Sequence, residues 1–197
     1  MPNGKRESLG PSDWTEAALG ALARGGITAV AVEPLAKALK TTKGSFYWHF
    51  ADRNALLAAT LALWEQRDTE QVIATLDATQ DAQSRLRRLL RLTFTAVADG
   101  SAGSAGTVEL ALQASASQPL ISNTLNRVTT RRLELLTKLY AELGLSPARA
   151  RDRALLAYTA YLGHAQVAHA TPDLLPRGRA LNTHVDQMVA TLVDAAR

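Results

Sequence analysis

The chain has 197 residues, 47% of them hydrophobic and 20% charged, a mixture that supports a packed core and excludes wholesale disorder. It contains no cysteine, which excludes disulfides, thiolate metal sites and cysteine nucleophiles. A formal net charge of +4 is compatible with a nucleic-acid partner but does not establish one. Seven basic residues stand against five acidic ones up to residue 55, so any DNA-binding role must come from arrangement.

Residues 1–10 are polar, with no apolar stretch behind Met1-Pro2-Asn3-Gly4-Lys5-Arg6 to form a secretory signal. No run approaches the ~18 apolar residues of a membrane span, so a cytoplasmic protein without a membrane partner is expected. Pro11 suits the first turn of a helix that extends to about Arg24 and buries Trp14, Ala18, Leu19 and Leu22. Gly25-Gly26 ends it. A second helix begins at Val32-Glu33-Pro34, with Leu35, Ala36 and Leu39 on one side and Lys37 and Lys40 on the other.

Thr41-Thr42 interrupts that helix, and Thr42 is placed to cap another through the backbone N–H of Ser45. Gly44 leaves N–H groups unshielded at a helix start, where partial positive charge favours phosphate. In the run Lys43-Gly44-Ser45-Phe46-Tyr47-Trp48-His49-Phe50, the two phenylalanines lie four apart and can both point inward. Tyr47, Trp48 and His49 are then left on the outer faces. A plain hairpin with every aromatic in the core is the alternative, but four aromatics in five positions cannot share one helix face. Two short helices joined by a tight turn, the second presenting Lys43, Ser45, Tyr47 and His49, fit helix-turn-helix DNA recognition.

Asp52 can cap the next helix, which opens at Arg53 and carries the stripe Leu56, Leu57, Leu61 and Trp64 to about Leu76. It is the mechanical link to the rest of the chain. Gln83–Ala98 is helical, with Leu86, Leu89, Leu90, Phe94 and Val97 inward. Its Arg85, Arg87, Arg88 and Arg91 fit either a phosphate site or a solvated face. Residues 99–106 read as a connecting loop without a P-loop ending.

A short helix from Val108 to about Ser117 and a long one from Pro119 to Leu143 follow. Another long helix runs from Pro147 to about Ala170, and a terminal one from about Gly178 to Ala196. The stripe Leu181, Val185, Met188, Val189 and Leu192 on the last wants a partner, either within the subunit or across a dimer. Glu109 and Gln113, one turn apart, fit a ligand anchor or ordinary exposed polar positions. His164 and His169 are five apart with no acidic pair nearby, and no Gly-x-Ser-x-Gly elbow occurs. No catalytic residues, metal site or cofactor are expected.

The pieces Trp14-Thr15-Glu16-Ala17-Ala18-Leu19, Gly25-Gly26-Ile27, Leu35-Ala36, Lys43–Phe50 and Asp52-Arg53-Asn54-Ala55-Leu56-Leu57 together resemble the DNA-binding domain of the TetR family of bacterial transcriptional regulators. The resemblance covers about a quarter of the chain. It implies an all-α protein, with a three-helix helix-turn-helix domain over residues 1–57 (motif about 32–50) and a larger helical ligand-binding and dimerisation domain over 58–197. Two departures stand out: Ala31 where the family usually caps the second helix with Ser or Thr, and Lys40 where its turn usually has glycine.

By matched positions, Lys43 and Tyr47 would reach base edges, with Glu33 a weaker candidate. Thr42, Gly44, Ser45, Trp48, His49 and Arg53 would hold the phosphate backbone, Arg53 standing at a phosphate-contacting lysine position. The resemblance also allows the arm with Lys5 and Arg6 to enter the minor groove, although a frayed tail is equally compatible. It further implies a homodimer built from the last two helices, a double-stranded DNA operator and a small-molecule effector. Trp64, Phe94, Gln113 and Tyr158 combine apolar area with polar handles and are the candidate effector contacts. The expected function is a ligand-released repressor on a palindromic operator. The alternative is a regulator whose C-terminal domain binds another protein and has no inducer.

Overall fold

The protein is represented by a computed structural model that describes residues 9–98 and 105–194. The expected arm and the centre of the expected 99–106 loop lie outside the described residues. Among the described residues the fold is all-helical, without strands, and no helix is long and apolar enough to cross a membrane.

Helix α1 (Pro11–Ala29) opens with proline in its first turn and an Asp13 carboxylate accepting the Gly10 N–H at 2.7 Å. Helical geometry breaks at Gly25 and Gly26, the latter at φ +66°, which an L side chain rarely adopts. The last turn then resumes to Ala29. Helix α2 (Val32–Ala38) begins after Ala31, which makes no side-chain cap. The chain then turns through Lys40 at φ +53° into α3 (Lys43–Tyr47). A lysine in the left-handed region carries strain that glycine would relieve. Lys40→Gly is therefore expected to stabilise the protein by about 0.5–1 kcal/mol, read as a higher midpoint in chemical denaturation.

Thr42 caps α3 as its spacing indicated, its Oγ1 accepting the Ser45 N–H at 3.2 Å. Asp52 likewise caps α4 (Arg53–Glu65) through Ala55 N at 2.8 Å. Helix α4 does not simply continue to Leu76. It passes through a π-helical turn, Gln66–Gln71, into a last short turn, α5 (Val72–Ala74). Helices α6 (Ala82–Ala98), α7 (Ala105–Gln113), α8 (Pro119–Glu142), α9 (Pro147–Ala170) and α10 (Arg179–Asp194) complete the described chain.

Two apolar cores hold these elements. The first joins Trp14, Leu22, Phe46, Leu57, Leu61 and Trp64 to Val108 and Leu112 of α7 and to Ile121 and Val128 of α8. The helix-turn-helix unit is thus fused to the C-terminal helices through a shared interior. The second core lies among α6, α8, α9 and α10, around Leu90, Phe94, Leu139, Tyr140, Tyr158 and Val189. Val185, Val189 and Leu192 of the α10 stripe are buried within the single chain, in this core. The intramolecular option of the two considered for that stripe therefore uses these residues. Leu155 and Leu156 of α9 are instead about half exposed.

Candidate functional site

The first site is the surface around α3. Phe46 is completely buried, edge-on to Trp14 at a centroid distance of 5.3 Å and stacked on Phe50 at 5.7 Å. This aromatic cluster fixes a five-residue helix too short to be stable alone. It also forces the next residues outward: Tyr47 is 56% exposed and Trp48 88%. His49 is half-buried, while Thr42, Lys43 and Gly44 are exposed and Ser45 partly so. Large exposed rings beside a lysine are uncommon on a surface that meets only water.

Lys43 Nζ donates to Glu33 Oε1 at 2.9 Å, so α2 and α3 are linked across the turn, and the carboxylate raises the lysine's pKa. Both side chains are more than half exposed, and the bridge is weak enough for either to be recruited elsewhere. Arg53 is differently engaged. Its Nε donates to the Val30 carbonyl at 2.6 Å and its Nη2 to that of Ile27, which also accepts the Val30 N–H at 3.2 Å where α1 ends. It therefore fastens the start of α4 to the end of α1, a role that its position in the sequence did not disclose.

The second site is a cavity of about 370 Å³ between the π turn, α5, α6, α8 and α9. This is within the roughly 300–1,000 Å³ range of small-molecule pockets. Val72, Ile73, Leu89, Leu90, Leu92, Ala96, Leu135 and Leu136 make most of the wall apolar. Asp68, Thr69, Arg132, Tyr158 and Tyr161 add a polar section.

A buried network stands behind that section. Arg132 donates from Nη1 to Glu109 Oε2 at 2.6 Å, from Nε to Thr69 Oγ1 at 2.9 Å and from Nη2 to the Asp68 carbonyl at 3.2 Å. Its guanidinium also lies over Trp64, 5.5 Å from the ring centroid, and 6.0 Å from that of Tyr161. Glu109 is 1% exposed, so the exposed alternative for this residue is excluded. Its second oxygen accepts from the Tyr158 hydroxyl, which also meets Thr129 Oγ1 at 3.0 Å. Burial and the Glu109 charge raise the pKa of Tyr158, keeping it a neutral donor.

Of the four candidate effector contacts, Tyr158 lines this cavity. Trp64 lies outside the lining, its face covered by Arg132. Phe94 points into the second core against His164, at 5.4 Å between rings, and Gln113 is exposed at the end of α7. Helical spacing identified these residues as amphipathic but could not tell which side of each helix the neighbouring helices would cover. Asp68 and Arg132 went unnoticed, whereas Glu109 stood out as a possible ligand anchor and lies behind the cavity wall instead, bonded to Arg132 and Tyr158. The only sequence signal for Asp68 and Arg132 was a charged residue within an otherwise apolar helical stretch.

Burial raises the Asp68 carboxyl to about 6, against an opposing pull from Arg132. Arg67 and the Trp64 indole also favour its ionised form, while Glu109 opposes it. The indole Nε1 has no partner at hydrogen-bond distance. Because the folded value exceeds the unfolded one, the native state holds this proton more tightly. Asp68 therefore subtracts stability as pH rises from about 4 to about 6, and the loss persists above. Asp68→Asn removes this dependence. Its melting temperature should gain on that of the unaltered protein as the buffer is taken from about pH 4 to about pH 8.

An exposed, capped second helix of a tight helical pair, set on an all-helical body with an internal cavity, defines a helix-turn-helix DNA-binding regulator. Residues 15–72 match the family described as bacterial regulatory proteins, tetR family. The match spans the helix-turn-helix unit and the start of the helices behind it, so the N-terminal part of the chain is similar to the DNA-binding domain of that family.

The fold of the whole chain has close parallels. A transcriptional regulator from Rhodococcus sp. Rha1 is 18% identical, with a TM-score of 0.77 over 95% of this chain and 97% of that one. A transcriptional regulator from Saccharomonospora viridis, in complex with choline, is 20% identical with a TM-score of 0.75, covering 93% and 95%. FadR from Bacillus subtilis, in complex with stearoyl-CoA, is 16% identical with a TM-score of 0.72, covering 92% and 97%. At such identities the likeness establishes the fold. A comparison with curated proteins finds no match.

Proposed function

We propose that the protein is a homodimeric repressor that binds a palindromic operator and is released when a small molecule occupies the cavity beside the π turn. Residues 1–57 carry DNA binding, and residues 58–197 carry effector binding and dimerisation. Lys43 and Tyr47 read base edges, with Glu33 adjusting Lys43. Thr42, Gly44, Ser45, Trp48, His49 and Arg53 set the register on the phosphates. The observation that carries this assignment is the exposure of Tyr47 and Trp48 on a helix whose other face is sealed by Phe46. Two half-sites are favoured because one short helix reads few bases, and Leu155 and Leu156 offer apolar area for a second subunit.

The route from cavity to DNA follows the π turn. Asp68 and Thr69 line the cavity, while the neighbouring Arg67 reaches Glu16 of α1 with Nη1 at 2.7 Å. At its far end α4 is fastened to the end of α1 by Arg53. A ligand that pushes the turn away from α6 would carry α4 and α1 together, and with them the spacing of the two recognition helices. π turns inside helices are weak points suited to such a shift. The ligand acts only through its differential affinity for the two arrangements. Choline and stearoyl-CoA, bound by the S. viridis and B. subtilis proteins, support effector binding as a use of this fold.

The test is selection of bound sequences from random DNA, followed by affinity measurement on the selected site. The selected site should be an inverted repeat with half-sites one helical turn, about 34–36 Å, or a multiple apart. Tyr47→Ala should weaken binding by ~1–3 kcal/mol with little change in melting temperature. Unchanged affinity would remove Tyr47 from the interface.

A further inference from the structure

The charges lining the cavity are unevenly matched. Of its two arginines, Arg67 is paired with Glu16 and Arg132 with Glu109. Arg132 donates from all three of its nitrogens within the protein, which fixes its guanidinium against Glu109, Thr69 and the Asp68 carbonyl. Arg132 and Glu109 thus cancel, and Glu109 has both oxygens occupied. Among the described residues Asp68 is the one lining carboxylate, and it makes no ion pair with either arginine. The rest of the wall is uncharged and mostly aliphatic, with Gln71, three threonines and two tyrosines among it. An entering carboxylate would meet Asp68 as a like charge in a largely apolar site, whereas a cation would give it the direct ion-pair partner that neither arginine provides.

We propose, on the premise that this cavity is the effector site, that its ligand has an apolar body and a cationic amine-type head seated against the Asp68 carboxyl. The aliphatic wall from Val72 to Leu136 takes the body. Tyr158 and Tyr161, held neutral by burial, flank the head with their rings. The groups facing Asp68 are Arg132 from α8, Glu109 from α7, Tyr161 from α9, and Arg67 and Trp64 from its own helix. All except the Trp64 indole and Tyr161 are either charge-paired or part of the neutral pair.

Isothermal titration of the full chain with n-decylammonium, n-decanol and n-decanoate, at about pH 7.5 and below micelle formation, tests this with the body held constant. Decylammonium should bind about tenfold or more tightly than either of the others. Asp68→Asn should bring the ammonium and the alcohol to within about threefold of each other, with retained decanol binding serving as the check that the variant is folded. In the unaltered chain the ammonium preference should also shrink on going to about pH 5, where the carboxyl takes up a proton while the amine stays charged. Equal binding of all three, tighter binding of decanoate, or an undiminished preference in Asp68→Asn overturns the proposal and leaves the cavity as an effector site. Binding of none overturns both.

Discussion

Arg132→Ala is expected to destabilise the protein by about 3–5 kcal/mol, the range for breaking one side of a buried ion pair. Glu109 would remain in an interior position, 1% exposed, with its charge uncompensated. Thr69 Oγ1 and the Asp68 carbonyl would each lose a donor, and Trp64 its covering guanidinium. For a domain of this size, each kcal/mol shifts the melting temperature by roughly 2–4 °C, so a fall of about 6–20 °C should be seen by calorimetry. The double variant Glu109→Leu with Arg132→Met should recover most of it, because both charges leave together and Tyr158 keeps Thr129 as a partner. A single variant that melts within a degree or two of the parent would mean that the pair contributes nothing to holding α7 against α8.

Phe46→Ala should cost a similar ~3–5 kcal/mol for loss of a buried aromatic, but with a different functional signature. Phe46 is the contact that seats α3 on Trp14 and Phe50, so its removal frees the recognition helix. Operator binding should fall to the non-specific level, while titration of the cavity is little changed, since none of its lining residues belongs to the apolar core that holds Phe46. The neighbouring Tyr47→Ala should do the reverse with respect to stability, leaving the melt in place and weakening operator binding. One residue along the chain thus separates holding the helix from using it. Equal effects of the two variants on stability would contradict the burial of one and the exposure of the other.

The helix-turn-helix was legible in the sequence because its signals are local. The Thr42 and Asp52 caps, the Gly25-Gly26 break and the inward pair Phe46 and Phe50 each depend on residues within one or two turns. The positive φ at Lys40 falls where the resemblance marked a departure, a lysine in a turn that usually has glycine. The C-terminal helices were readable in number and approximate length. Their faces were not, because α8 and α9 are covered on several sides by elements far away in the chain. The same limitation hid Arg53, whose acceptors at Ile27 and Val30 lie more than 20 residues earlier.

The sequence by itself therefore determined the helical pair, the short second helix and which of its side chains face outward. Those properties follow from helical periodicity and capping, which act within a few residues. The tertiary structure alone decided that α4 passes through a π turn, that Glu109 is buried, and that Asp68, Arg132 and Tyr158 share one cavity. Each of those depends on desolvation and pairing between residues tens of positions apart, which only the packed chain brings together.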